Sequence, residues 1–555
     1  MKAAEFLTKK TNYNDIFTYE DFNEEQMMMY SATEEFIEKE IFPNIDKIEK
    51  QDGDIVENIL RKAGELGLLG ITVPEKLNGL NMSFNTSMLI ADIIGIAGSF
   101  GTTYGAHTGI GTLPILYYGT EEQKEKYVSQ LATGKMIGCY CLTEPNAGSD
   151  ANAGKTSAKL NDKKDNYIIN GQKIWISNGG FADIMIVFAK IDGDKNHSAF
   201  IVESKTKGIT MSPEEIKLGI KGSSTRQIFY ENVLVPVENL LGDRGQGFEI
   251  ALNILNIGRI KLCASAIGGA KKLIEQTKDY VEERVQFGFP IRKYGAIREK
   301  VSTMMSKTFV SESLMYRAGQ EIEDRVNEIG TVNATKEYAI ECAIAKIHGS
   351  ETLDYVVDEA VQCHGGMGYS AEYPIERAYR DSRIARIYEG TNEINRLMLV
   401  AQYFKKIKNK DINITSNVIK GYSKILTPLF MSKTDKICLV DNHKKLLGIL
   451  TQLVYSKFGK NLHRHQHVMI WLSDIIIEIY ANESALLRSE KTQDTHQKLM
   501  IQKYLYDSNK LIKNIAENII SSICKGIKRH LLNRLVNKLT SQKNHNPEII
   551  SLNVY

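Results

Sequence analysis

Apolar residues recur at spacings of three and four from about residue 20 to 135, as in "EEQMMMYSATEEFIEKEIF" and "IVENILRKAGELGLLG", and this period predicts amphipathic helices. From about 139 to 245 the period shortens to two. "YIINGQKIWISNGGFADIMIVFA" reads as three short strands separated by Asn170-Gly171 and by Asn178-Gly179-Gly180, whose tolerance of positive φ suits hairpins. "GITMSPEEIKLGIKGSSTRQIFYENVLVP" continues as strands and turns. Helical spacing returns over 246–405, in "ALNILNIGRIKLCASAIGGAKKLIEQ", in the run 295–325 and in 331–364, and helices rich in Lys, Asn and Ile follow residue 406. The expected fold is a multidomain α+β chain: an N-terminal helical domain (20–138), a middle β-barrel or sandwich domain (139–245), a C-terminal helical bundle (246–405) and an extra basic helical domain (406–555).

Charge sharpens the last boundary. The net charge of +3 hides a balance of −10 over 1–405 and +13 over 406–555, and only 4 of the 42 glycines fall after residue 405. That break predicts a separate C-terminal unit with its own partner surface. The hydrophobic share of 43% and charged share of 25% are those of a soluble globular chain. No apolar core follows the basic residues of "MKAAEFLTKKTNYNDIF", and the apolar stretch 88–119 is interrupted by Asp92, His107 and Pro114, so neither a secretory signal nor a membrane span is expected. Seven scattered cysteines point to a reducing compartment. Without an Arg- and Ser-rich transit segment the expected location is a bacterial cytoplasm, or the mitochondrial matrix in a eukaryote.

Five segments carry chemistry. "CYCLTEPNAGSD" (139–150) leaves a strand for a turn of small and hydroxylic residues whose backbone N–H groups suit a phosphate or a polar ring edge; it is equally a decorated loop. "KIWISNGG" (173–180) sets Trp175 and Ser177 on one side of a strand, a platform for a flat cofactor or plain core. "RVQFG" (284–288) places a cationic fork near a stackable ring, suited to a pyrophosphate beside an adenine, or a solvated helix end. "QCHGGMG" (362–368) ends a helix in glycines that admit close approach. In "RIYEGTNEINRLM" (386–398), Glu389 stands between Tyr388 and Gly390. It reads as a first-turn acid favoured by the helix dipole, or as a base facing a substrate laid against the glycine. No G-x-S-x-G or strand-borne G-x-G-x-x-G occurs, and the histidines of "HRHQH" (463–467) have no completing ligands, so no metal is expected.

Taken together and in this order, the five segments resemble the acyl-CoA dehydrogenase family over residues 20–405; "NILNIGRIK", "WISNGGFADI" and the basic tail look most like its very-long-chain branch. The resemblance implies FAD-dependent α,β-dehydrogenation of an acyl-CoA to trans-2-enoyl-CoA in fatty-acid β-oxidation, with electrons passed to electron-transferring flavoprotein. It makes Glu389 the base; some relatives carry the base just before the arginine that is here Arg259, where this chain has Gly258. It implies FAD contacts from Tyr140, Leu142, Thr143, Gly148, Ser149, Trp175, Ile176 and Ser177. At the adenine and pyrophosphate end it implies Arg284, Gln286, Phe287, Gln362, Cys363, His364, Gly365, Gly366, Thr391 and Glu393, with the contacts of "RVQFG" and "QCHGG" crossing to a neighbouring subunit of a homodimer. Substrate contacts fall on Ser149, Asn256, Arg259 and Gly390. "GAHTGIGTLPI" (105–115) matches a pocket floor, and small residues at Gly109 and Gly111 favour long chains.

"CKGIKRHLLNRLVNKL" (524–539) aligns Ile527, Leu531, Leu535 and Leu539 on one stripe among five basic residues, which reads either as peripheral membrane contact or as intrachain packing. No nucleic-acid partner is expected. A flavin oxidase using oxygen, or a non-catalytic assembly protein on the same fold, are the alternatives.

Overall fold

The computed structural model describes residues 1–424 and 436–542. The N-terminal part is helical, with α1 (Glu24–Phe36), α2 (Ile55–Glu65) and α3 (Phe84–Ile94) as its main elements. Local chemistry sets the starts. The side chain of Asn23 accepts from the Gln26 N–H while that of Gln26 accepts from the Asn23 N–H, and Ser83 Oγ accepts from the Thr86 N–H at 3.0 Å.

An eight-stranded sheet follows: β1 (Gly138–Cys141), β2 (Ser157–Leu160), β3 (Asn166–Ser177), β4 (Ile184–Ile191), β5 (Ser198–Glu203), β6 (Ile209–Met211), β7 (Thr225–Pro236) and β8 (Leu240–Leu241). Its order is β6-β7-β3-β2-β4-β5-β8, with β1 added parallel to β4. Neither Asn-Gly signal makes a hairpin. Asn170-Gly171 lies inside β3 as an irregularity in its pairing with β7, where a Cβ on Gly171 would stand 2.5 Å from Thr156 Oγ1. Asn178–Gly180 turns the chain out of β3, but β3 pairs with β2 and β7 rather than with β4. Local turn chemistry was correct about backbone freedom; distant strand pairing decided its use.

The second helical part contains α4 (Gly247–Glu283), α5 (Gly295–Ile329), α6 (Ala339–His364), α7 (Pro374–Ser382) and α8 (Asn392–Lys408). Helix α4 is long and apolar enough to cross a membrane, but the fold itself buries 67% of its most apolar window. The last part adds α9 (Lys436–Phe458), α10 (Gln466–Thr492), α11 (Thr495–Ile523) and α12 (Gly526–Leu539). The charge break at 405 does not separate two cores. Leu314, Ile344 and Leu399 belong to the same apolar cluster as Leu450, Ile476 and Ile519. Fully buried Arg317 reaches Glu483 at 3.1 Å, and Arg488 reaches Glu312 at 2.7 Å, so ion pairs also cross the boundary.

The stripe expected on α12 is split. Leu532, Leu535, Val536 and Leu539 are buried against the chain, while Ile527 and Leu531 are exposed. Leu532 and Val536 flank the stripe on one side, and docking onto α9 and α11 selects the face shifted toward them.

Candidate active site

Glu389 is not a first-turn acid. Helix α8 begins at Asn392 with Thr391 as its cap, Thr391 Oγ1 accepting from the Ile394 N–H at 3.3 Å, and the acid in the first turn is Glu393. Glu389 instead sits in the preceding turn with φ 58°, followed by Gly390 with φ 80°. A left-handed glutamate costs energy unless its surroundings fix it, and such residues cluster at functional sites. Here Arg259 Nε donates to the Glu389 carbonyl at 3.1 Å, and Asn395 Nδ2 donates to it at 3.3 Å and to the Gly390 carbonyl at 2.7 Å. Lys346, fully buried, donates to the Gly390 carbonyl at 2.9 Å and to Asn392 Oδ1 at 2.6 Å. The carbonyls are thus tied down, while the N–H of Glu389 is bound to no protein acceptor among the described residues.

The Glu389 carboxylate points the other way. Its Oε2 is sealed from solvent and has no hydrogen-bond partner among the described residues. Burial pushes its pKa up to about 7, against the opposing pull of Arg259 and Lys346. Gly258 makes the space: a Cβ there would lie 2.7 Å from Glu389 Oε1.

A cavity of about 480 Å³ opens beside this carboxylate, with Tyr388, Glu389 and Ser177 among its lining residues. It follows one face of α4 from Gly258 to Gln276, a run of about 27 Å at 1.5 Å rise per residue, and Gly98, Gly101, Gly105 and Gly109 border it opposite. The bilayer's hydrocarbon core, two acyl chains thick, spans about 30 Å, so the cavity has the reach of a long alkyl chain. Of the two expected floor glycines, Gly109 lines it. Gly111 does not; it lets its segment pass Gly138, whose backbone carbon a Cβ would meet at 2.7 Å.

The β domain supplies a second wall. Where β3 leaves register between Lys173 and Ile176, Trp175 takes φ 60° and keeps its indole 54% exposed, Ile176 is buried, and Ser177 reaches the cavity. The Ile174 N–H donates to the Thr143 carbonyl at 2.9 Å, fastening the 142–149 loop beside this platform. Beneath it, buried Lys173 donates to the Leu142 carbonyl at 3.2 Å and to Glu144 Oε1 at 2.7 Å, and Glu144 also accepts from the Lys155 and Thr156 N–H groups. Gly148 and Ser149 stay exposed, with open space around Gly148, and the Tyr140 hydroxyl is buried without a partner. A flat exposed ring, an orphaned hydroxyl and an open glycine loop beside a buried base fit the isoalloxazine of a flavin.

The remaining residues fall in two places. Asn256 and Arg259 are buried and do not line the cavity. Arg259 Nη1 donates to Asn256 Oδ1 at 2.7 Å and Asn256 Nδ2 to the Thr335 carbonyl at 3.3 Å, so the pair supports the Glu389 turn from below. Arg284, Gln286 and Phe287 stand on a two-stranded hairpin, with Phe287 91% exposed. Tyr280, one turn before that hairpin, stacks on His364 at 4.2 Å and donates to its carbonyl, which joins Gln362–Gly366 to the same patch away from the cavity. Thr391 caps α8 and Glu393 lies in its first turn. The histidines of 463–467 hold no metal-binding group among the described residues. Sequence reading missed Lys346, Asn395 and the Lys173–Glu144 pair; a lone lysine inside the apolar run "ECAIAKIHG" was the available signal for the first.

Family models describe this chain over most of its length. Residues 23–135, 139–233 and 245–404 match the N-terminal, middle and C-terminal domains of acyl-CoA dehydrogenases, and 442–538 match a further C-terminal domain of that family. A probable acyl-CoA dehydrogenase of Bacillus subtilis (strain 168) is 44% identical over 504 residues, 88% of this chain and 85% of that protein. The mitochondrial very long-chain specific acyl-CoA dehydrogenase of Rattus norvegicus is 39% identical over 68% of this chain and 57% of its own. An acyl-CoA dehydrogenase complexed with FAD from Bacillus anthracis superposes with TM-score 0.97 at 40% identity, covering 100% of this chain and 98% of the other.

Proposed function

The chain belongs to the acyl-CoA dehydrogenase family, and we propose that within it this enzyme dehydrogenates long-chain acyl-CoA thioesters in fatty-acid β-oxidation and passes the electrons to an electron-transferring flavoprotein. The observation that carries the reading is the unpartnered, buried Glu389 carboxylate facing a long apolar cavity beside the Trp175–Ser177 platform.

The α C–H of a thioester is a weak acid, so the chain has to strengthen the base and stabilise charge on the thioester oxygen. Glu389 does the first: burial raises it to about 7, close to working pH, where a general base is most effective. Its uncommitted N–H, held in place by the carbonyl anchors from Arg259, Asn395 and Lys346, serves the second, and one such preorganised donor is worth about 3–4 kcal/mol. Gly390 keeps the turn narrow enough for the thioester to approach, and Tyr388 helps exclude water. FAD, when bound against Trp175 with Ser177 beside its ring, supplies the acceptor for the β hydride.

The exposed Arg284–Phe287 hairpin and the joined Gln362–Gly366 segment support a homodimer in which this patch completes the partner's cofactor site. Exposed Ile527 and Leu531, among Lys525, Lys528 and Arg529, are the part of α12 left for contact with an anionic membrane surface. Anaerobic addition of palmitoyl-CoA to the yellow protein tests the central reading: the flavin band bleaches in the wild type and persists in Glu389→Gln. An unbleached wild type refutes it, and peroxide released in step with product would replace the flavoprotein acceptor by oxygen.

A further inference from the structure

Resting on that reading, we propose that the acyl cavity carries a carboxylate-binding site made by Lys261, so that acyl-CoA thioesters ending in a second carboxylate are a substrate class of this enzyme. Lys261 lies one helical turn beyond Gly258 on α4 and lines the cavity. Its ammonium forms no ion pair and donates to no protein acceptor among the described residues, and the cations that act on Glu389 are Arg259 and Lys346 instead. Arg377, on α7, lines the same cavity, but its charge already acts on Asp381 and Glu376 of its own helix. The third cation on the wall, Lys272, is already paired with Glu275 at 2.9 Å.

Among the described residues the walls carry three cations, Lys261, Lys272 and Arg377, and two carboxylates. Besides the catalytic acid, the only carboxylate there among the described residues is Asp381, which accepts from the Ile220 N–H. The rest is largely aliphatic, with Ile94, Ile110, Leu262 and Leu273 on the lining. An ammonium among such residues is penalised, and burial lowers Lys261 to about 8, which still leaves it mostly cationic at neutral pH. A plain alkyl chain drawn past it would displace its remaining water and give nothing in return. A carboxylate at the chain end supplies a counter-ion and a charge-assisted hydrogen bond.

The test compares methyl-ended acyl-CoA thioesters with their carboxyl-ended counterparts, over a series of lengths, in the flavin-loaded full chain. At the length that reaches Lys261, Lys261→Met is expected to lower the carboxyl-to-methyl ratio of kcat/KM roughly ten- to a hundredfold, the range of a hydrogen bond to a charged group, and Lys261→Arg to restore it. Equal losses for both series, an unchanged ratio, or refusal of every carboxylated chain by the wild type would overturn the proposal while leaving acyl-CoA dehydrogenation intact. Failure of both series to bleach the wild-type flavin would remove the underlying reading as well.

Discussion

A Cβ on Gly258 would stand 2.7 Å from Glu389 Oε1 and 2.8 Å from its Cδ, so the base occupies the space that any other residue at 258 would claim. The obstructing atoms are the end of a flexible side chain, which can swing aside without disturbing the fold. Gly258→Ala should therefore fold and bind flavin normally but hold its base out of line. Displacements near 1 Å cost on the order of a hundredfold in rate. Single-turnover flavin reduction beside a melting curve checks both halves.

Glu389→Gln should lower the reductive step by roughly 10²–10⁴. It should also stabilise the protein at alkaline pH. The folded pKa of about 7 lies above the ordinary 4.5, so the folded state holds the proton more tightly and stability falls as pH rises from about 4.5 through 7. The substitution removes that loss, worth at most about 3 kcal/mol. Thermal melts of the two forms should coincide near pH 4.5 and separate above pH 7.

Lys346→Met removes one of two donors to the Gly390 carbonyl, where Asn395 Nδ2 remains, and the shorter of two to Asn392 Oδ1, where the Ser350 hydroxyl remains, so the loss should be about 1 kcal/mol. Lys346 also holds the Glu389 pKa down, so the variant's kcat/KM should rise with pH through a higher midpoint than the wild type's. A profile that moves to lower pH would contradict the assigned contacts.

Glu144→Gln strands Lys173 without its counter-charge beneath the flavin platform. Breaking a buried pair of this kind typically costs about 3–5 kcal/mol, and flavin content should fall with stability. Replacing both partners with apolar residues should recover much of the stability, as denaturant titration of the single and double variants would show.

Gly105 borders the cavity with open space where a Cβ would stand. Gly105→Leu should take up part of the cavity, so that kcat/KM falls more for the longest acyl-CoA substrates than for short ones. Turnover across a chain-length series reads this directly.

The order helical, β, helical, helical was legible from apolar periods alone, because each period reflects one local geometry. What failed was whatever depended on distant partners. Asn170-Gly171 has hairpin chemistry but lies within β3, whose pairing with β7 no local window contains. The stripe on α12 slid by one position because packing onto neighbouring helices buries the face that includes Leu532 and Val536. Glu389 was identified as the base through its resemblance to the family, while its own neighbours left the helix-dipole reading open until Thr391 proved to be the cap. Lys346 and Asn395 act on backbone carbonyls across the fold, a relationship no spacing announces.

The common core that joins Leu314 and Ile344 to Ile476 and Ile519, with Arg317 and Arg488 bridging the same seam, has a bearing on inheritance of damage. A lesion in the last hundred residues need not approach the thioester to silence the enzyme. It would act by lowering the amount of intact protein, with surviving molecules turning over at full speed, so genetic defects there should look like scarcity instead of sluggishness.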